Sequence, residues 1–332
     1  MLPKENEFKY FLEYLISRGT NKNINQYNVS NLIKKYDMFA RFSALANYNL
    51  DSDKTNFTIK KNTTEIIANH LLQENFIRKL GRLCLETNIE VYLLKSTAFN
   101  GWIYESENPR GNSDIDIFVD SFHYEKLKVI LNSLALQIKE SKNPFTNSYE
   151  QTWLVKNTTL YIDLHSRLVN PYVIDINNSY VSHNSVPHPY YKNAALRVMS
   201  DEMNLIHLCI HIFKDGYIPH HSLIDAAFLI DKNNINWALV DSMNTKFQTK
   251  KIFNYISYNL EKVGVRTVNQ KKGKVKLLNL KAANVVMKKQ LQKESMTRRI
   301  QQFLLLILLM DKPLKAVNII IKYLFLKMKS SF

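Results

Sequence analysis

Residues 91–119 read VYLLKSTAFNGWIYESENPRGNSDIDIFV, and two carboxylates, Asp114 and Asp116, stand two apart in the closing apolar run. In a strand, successive side chains point to opposite faces, so Asp114, Asp116 and Phe118 share one face while Ile115, Ile117 and Val119 share the other. The aliphatic face belongs to a core, and the other carries paired negative charge. Two like charges on one side of a strand repel, and burying them without a partner is costly, so a cation is expected between them. Oxygen-only ligands suit Mg²⁺ or Mn²⁺ better than zinc, and Mg²⁺ is commonly held by one or two carboxylates together with substrate phosphates. The alternative is an edge strand with a solvent-facing Asp pair, against which stands the scarcity of Asp in strands.

Two neighbouring features match phosphate chemistry. Upstream, Lys95, Ser96 and Thr97 end the apolar run 91–94 and open a helical segment over 98–104. Ser and Thr stand where a helix cap is expected, and free amides at a helix N-terminus suit phosphate. Downstream, residues 159–168 read TLYIDLHSRL, in which Tyr161, Asp163 and His165 alternate with Leu160, Ile162 and Leu164. Asp163 can thus enter the same site from a neighbouring strand as a third carboxylate. His165 either contacts a triphosphate or orients a bound water, or is a strand histidine bonded to a neighbour. Arg110, in the loop before the Asp pair, either clamps phosphate with its bidentate fork or pairs with Asp114 or Asp116 to hold the loop.

The order Leu94-Lys95-Ser96, Tyr104, Arg110, Asp114-Ile115-Asp116 and then Ile162-Asp163-Leu164-His165 resembles the uncharacterised bacterial nucleotidyltransferases within the DNA polymerase beta superfamily. More distantly it is similar to the abortive-infection type nucleotidyltransferase toxins. The resemblance implies an α+β fold with a small mixed sheet of the polymerase-beta-like nucleotidyltransferase type. It implies three acids, Asp114, Asp116 and Asp163, holding two Mg²⁺ (or Mn²⁺) ions, with a nucleoside triphosphate as substrate and an acceptor hydroxyl. The triphosphate would meet Lys95, Ser96, Thr97, Arg110 and His165. The family usually has Gly directly after the lysine, where this chain has Ser96.

The rest of the chain frames that centre. Apolar spacing predicts helices over 5–17, 29–45 and 64–86, the last capped by Thr63 or Thr64, then a strand over 89–94. A helix through Leu134 and short strands over 136–139, 152–155 and 160–167 follow. The stretch 170–193, with Pro171, Pro187 and Pro189, reads as a long connection, and from Ser200 the pattern is helical to the end. Three units are expected: a helical lead-in over 1–62, a transferase core over 63–185 and an all-helical region over 186–332. His207 and His211 stand four apart on one helix face, but the Glu of a zincin is missing after His207 and no third ligand follows at suitable spacing, so zinc is not expected. The related family tends to have such histidines with a later Asp, here Asp225.

The chain carries a net charge of +16 and two cysteines, Cys84 and Cys209, which excludes a disulfide framework. Between 246 and 299 fifteen Lys and Arg face two acids, Glu261 and Glu294, a local excess of +13. Basic segments attract phosphate polymers or anionic membranes, so RNA and a membrane surface are candidate partners. Residues 312–329 place Lys315, Lys322 and Lys329 beside an apolar surface, either as a docked final helix or as one lying on a membrane. No apolar run approaches the roughly 20 residues of a transmembrane helix, and the charged start lacks a secretory pattern, so a cytoplasmic protein is expected. The function expected is transfer of a nucleoside monophosphate to a small molecule, protein or RNA. The alternative is a non-catalytic nucleotide-binding or scaffold protein that keeps the fold.

Overall fold

The computed structural model describes residues 5–16, 31–33, 41–47, 57–107, 109–139, 149–171, 173–214, 220–232, 234–267, 304, 307–312, 314, 317–318 and 321. Of the basic stretch 246–299, everything from 268 on lies outside them, as does nearly all of the helix expected over 312–329. The described chain is mixed α+β, built on a seven-stranded sheet. Its strands are β1 (Val91–Leu93), β2 (Asp114–Phe118), β3 (Ala135–Lys139), β4 (Glu150–Val155), β5 (Tyr161–His165), β6 (Ser185–Pro187) and β7 (Leu196–Met199). They lie in the order β3-β4-β5-β2-β1-β7-β6, with β2/β5 and β1/β7 parallel and the other pairs antiparallel.

Strands β6 and β7, together with a short helix over Asn178–His183, correct one expectation: they occupy what the sequence presents as a connection and the start of an all-helical region. The strands are only three and four residues long, too short for alternation to register. Pro187 sits on an edge strand, where a missing N–H costs no ladder bond.

The helices are α1 (Glu5–Ile16), α2 (Ser43–Asn47), α3 (Phe57–Glu86), α4 (Lys95–Phe99), α5 (Tyr124–Leu134), α6 (Asn178–His183), α7 (Asp201–Lys214), α8 (His220–Lys232), α9 (Trp237–Phe247) and α10 (Lys250–Lys262). Helix α3 begins seven residues before the expected start at Thr64, and Thr64 is no cap: its hydroxyl donates to the Lys60 carbonyl at 3.0 Å. The added turns are largely polar and carry no apolar stripe by which periodicity could find them. Helix α7 is buried on nearly every side and packs on α8, α9 and α10. Helix α8 also touches α1 and α4, which ties the helical region to the first residues and to the lysine-led segment before the acids.

The core is one continuous cluster that runs from α1 through the sheet to α10. On the aliphatic face of the sheet, Ile115, Ile117, Ile162 and Leu164 are all fully buried. At about 1.5–3 kcal/mol for each such side chain, these four stabilise the strand pair by roughly 6–12 kcal/mol. That sum exceeds the cost of holding the Asp163 carboxylate on the reverse face, about 3 kcal/mol, which comes first from its burial and then from the neighbouring acids. No helix among the described residues is long and apolar enough to cross a membrane.

Candidate active site

The parallel pairing of β2 with β5 sets Asp114 opposite Tyr161, Asp116 opposite Asp163 and Phe118 opposite His165. Directly paired residues share a face and lie within about 5.5 Å, so the three acids expected from the sequence stand on one surface of two adjacent strands. They act on each other. Burial pushes the Asp163 carboxyl up to about 6, with Asp116 and Asp114 adding to the effect and the Thr152 hydroxyl, 2.8 Å away, opposing it. Asp114 is raised as well, first by burial and then by Asp116, against the pull of Lys95 and Arg41. Asp116 goes the other way. Burial alone would raise it, but Lys95 and His165 outweigh burial and hold it far below the usual carboxylate range.

Lys95 places Nζ 2.6 Å from Asp116 Oδ1, and His165 Nε2 lies 3.4 Å from the same oxygen. The left-handed backbone in this segment falls on Lys95 (φ 51°), while Ser96 keeps an ordinary φ, so position 96 does not require the family's Gly. The helix begins at Lys95, earlier than the expected 98, and Leu94 rather than Ser96 or Thr97 stands at its N-cap. Thr97 serves β2 instead: its hydroxyl accepts the Asp116 backbone N–H at 3.2 Å. The Leu94 N–H bonds the Asp116 carbonyl at 3.0 Å. Lys95, Ser96 and Thr97 are thus fastened against the acid strand, with the first amides of α4 lacking partners inside their own helix.

The donor set suits a hard divalent cation, and the carboxyls of Asp114 and Asp163 are raised first by burial and then by their neighbouring carboxylates. Among the described residues, no three His, Cys, Asp or Glu side chains converge as one chelating group. The reason is visible in their partners: Asp116 faces Lys95, Asp163 faces Thr152, and Asp114 accepts from Ser113 at 3.2 Å.

Arg110 is not on this face. Its guanidinium is 3% exposed, with Nε 3.0 Å from Asp225 Oδ1, and lies over the Phe42 ring. The carboxylate it meets is therefore Asp225, and neither Asp114 nor Asp116. Tyr104 donates to the same Asp225 oxygen at 2.7 Å, and Arg110 and Asn100 exchange backbone and carboxamide bonds at 3.1 and 3.2 Å. Asp225 thus anchors the loop that feeds β2 onto helix α8. His207 is buried beside His211 with ring centroids 6.4 Å apart, and burial, then His211, keeps it uncharged.

Two residues near the acids carry no sequence signal. Glu150, opposite His165 on β4, has Oε2 3.9 Å from both His165 Nδ1 and Lys214 Nζ. The strand expected from the sequence starts only at Thr152, which leaves Glu150 in a loop. Arg41 lies near Asp114, with its carbonyl accepting the Gly111 N–H at 2.7 Å. Nothing in the polar lead-in distinguishes it from any surface arginine.

The parallel acid-bearing strand pair, the lysine-led turn into a short helix and the helical region against them all lie within residues 39–263. The family model described as "Uncharacterised nucleotidyltransferase" matches residues 39–263, and the chain belongs to that family. It is therefore a nucleotidyltransferase by family, with a nucleotide as substrate. Neither curated proteins nor solved structures yield a match.

Proposed function

We propose that the chain is a metal-dependent nucleotidyltransferase of the polymerase-beta type. It moves a nucleoside monophosphate from a nucleoside triphosphate to an acceptor hydroxyl on a small molecule, a protein or an RNA. The observation that carries this is the register of Asp116 against Asp163, with Asp114 on the same face and the carboxyls of Asp114 and Asp163 raised. Asp114, Asp116 and Asp163 would hold Mg²⁺ or Mn²⁺, which when bound supplies charge against the polyphosphate and acidifies the acceptor hydroxyl. Lys95, pinned beside Asp116, offers a cation to phosphate once Asp116 is shared, and the amides of Ser96 and Thr97 suit phosphate oxygens. His165 keeps a nitrogen 3.4 Å from Asp116 and braces that carboxylate alongside the lysine. In such chemistry the protein mainly positions groups and stabilises charge.

A non-catalytic scaffold is less favoured. The case for it is Ser96 in place of Gly, and the ordinary φ of Ser96 removes the need for Gly there. The test is to incubate the protein with each α-labelled triphosphate, Mg²⁺ or Mn²⁺ and a cell extract, and to ask which fraction carries label. Wild type labels one fraction and Asp163→Asn does not; equal labelling by both removes the assignment of the acids.

A further inference from the structure

A cavity of about 280 Å³ reaches Ser113, the residue before Asp114, and no part of the acid cluster lines it. One wall is a single face of α3, where Asn62, Glu65, Ile66 and Asn69 recur at helical spacing, with Glu65 held 3.8 Å from Lys61 Nζ. The other is the loop Gly111–Ser113, closed at the end by Arg41. The loop approaches closely: a Cβ on Gly111 would fall 2.8 Å from Ile66 Cγ1 and 3.3 Å from the Arg41 carbonyl. The inner end is held rigid by the Asn112 carboxamide, which donates to the Asp114 carbonyl at 2.7 Å, and by the Gly111 N–H on Arg41.

We propose that this cavity receives the nucleoside of the donor triphosphate. The proposal rests on the nucleotidyl-transfer reading of the acids. A donor whose α-phosphate lies at Asp114 and Asp116 must lodge its nucleoside within the reach of one ribose, and the cavity starts at Ser113, next to Asp114. Its volume, about 280 Å³, falls just under the roughly 300–1,000 Å³ of small-molecule sites, the size for one nucleoside rather than a larger ligand. Its lining also fits. The flank of Ile66 that is not packed on Gly111 offers apolar contact to a flat ring. The carboxamides of Asn62 and Asn69 and the Arg41 guanidinium offer edge-on hydrogen bonds, the pairings by which Asn reads adenine and Arg reads guanine. Arg41, which closes the cavity, is also close enough to Asp114 for the two charges to attract, which places the cavity beside the acids in space as well as in sequence.

The experiment is isothermal titration of the full chain with Mg²⁺, using inorganic triphosphate and the α,β-imido analogues of ATP, GTP, CTP and UTP. At least one analogue binds wild type about tenfold or more tightly than triphosphate, a difference of about 1.4 kcal/mol. Ile66→Trp, which fills the cavity, brings that analogue to within about twofold of triphosphate and leaves triphosphate affinity unchanged. Asn69→Leu, tolerable on a partly exposed helix face, lowers the analogue's affinity alone and decides the matter should the Trp variant fail to fold. If triphosphate binds but no analogue binds more tightly, or if both variants keep the wild-type preference, the cavity assignment is overturned while the transferase reading stands. If neither triphosphate nor any analogue binds wild type, the transferase reading falls and takes the cavity with it.

Discussion

Replacing Asp163 by Asn separates what the acid costs the fold from what it gives the chemistry. Its carboxyl titrates at about 6 in the folded chain against an ordinary value of 3.8. At about 1.4 kcal/mol per pH unit, that difference amounts to about 3 kcal/mol carried against folding when the group is ionised. The sign follows from linkage. The folded form holds its proton more tightly than the unfolded one, so this group's contribution falls as pH rises from about 4 to about 6 and is flat above. Asn keeps the volume and can still accept from the Thr152 hydroxyl at 2.8 Å, so little besides the charge is removed. Without divalent metal, Asp163→Asn should be more stable than wild type by about 2–3 kcal/mol at pH 7.5 and nearly equal to it at pH 4. Turnover should fall by about 10²–10³ or more, the loss typical of removing one transition-state electrostatic contact. Urea unfolding in EDTA at pH 4, 6 and 7.5, paired with label transfer, measures both. A variant that is less stable at pH 7.5, or a difference that does not change with pH, would refute a carboxyl raised by burial and by its acidic neighbours.

Three further outcomes follow from particular contacts. Arg110→Met leaves Asp225 charged and buried without its partner, and should cost about 3–5 kcal/mol in urea unfolding, with Asp225→Leu added in the same chain restoring much of it. Gly101→Ala puts a side chain at φ +79° with its Cβ 2.5 Å from the Tyr190 ring, and should lower stability by about 1–3 kcal/mol in thermal melting. Mg²⁺ at 100 times its dissociation constant should stabilise wild type by about 2.7 kcal/mol and Asp163→Asn by clearly less, as read from the melting temperature with EDTA as the zero point.

Much of the site was legible in the sequence because strand alternation is strict. Once 114–118 and 161–165 are strands, the faces of Asp114, Asp116 and Asp163 follow without further information. Lys95 was legible as a cation before a helix, but its partner was not, since a 2.6 Å contact with Asp116 spans 21 residues. Arg110 shows the same limit. Its two sequence-level roles, phosphate clamp or partner of the Asp pair, both assume that it faces the acids, and burial against Phe42 and Asp225 turns it elsewhere. The two strands β6 and β7 were illegible for a different reason: three or four residues hold too few periods to distinguish a strand from a connection.

By itself, then, the sequence determined which side chains share a face, because the pleat repeats every two residues whatever surrounds it. Only the tertiary structure decided which faces meet. It set Asp163 across from Asp116, carried Asp225 on a helix more than 100 residues downstream to the loop before Asp114, and brought Arg41 from the lead-in to the edge of the acids. Such choices depend on the total apolar surface each arrangement buries, a property of the assembled chain that no local pattern contains.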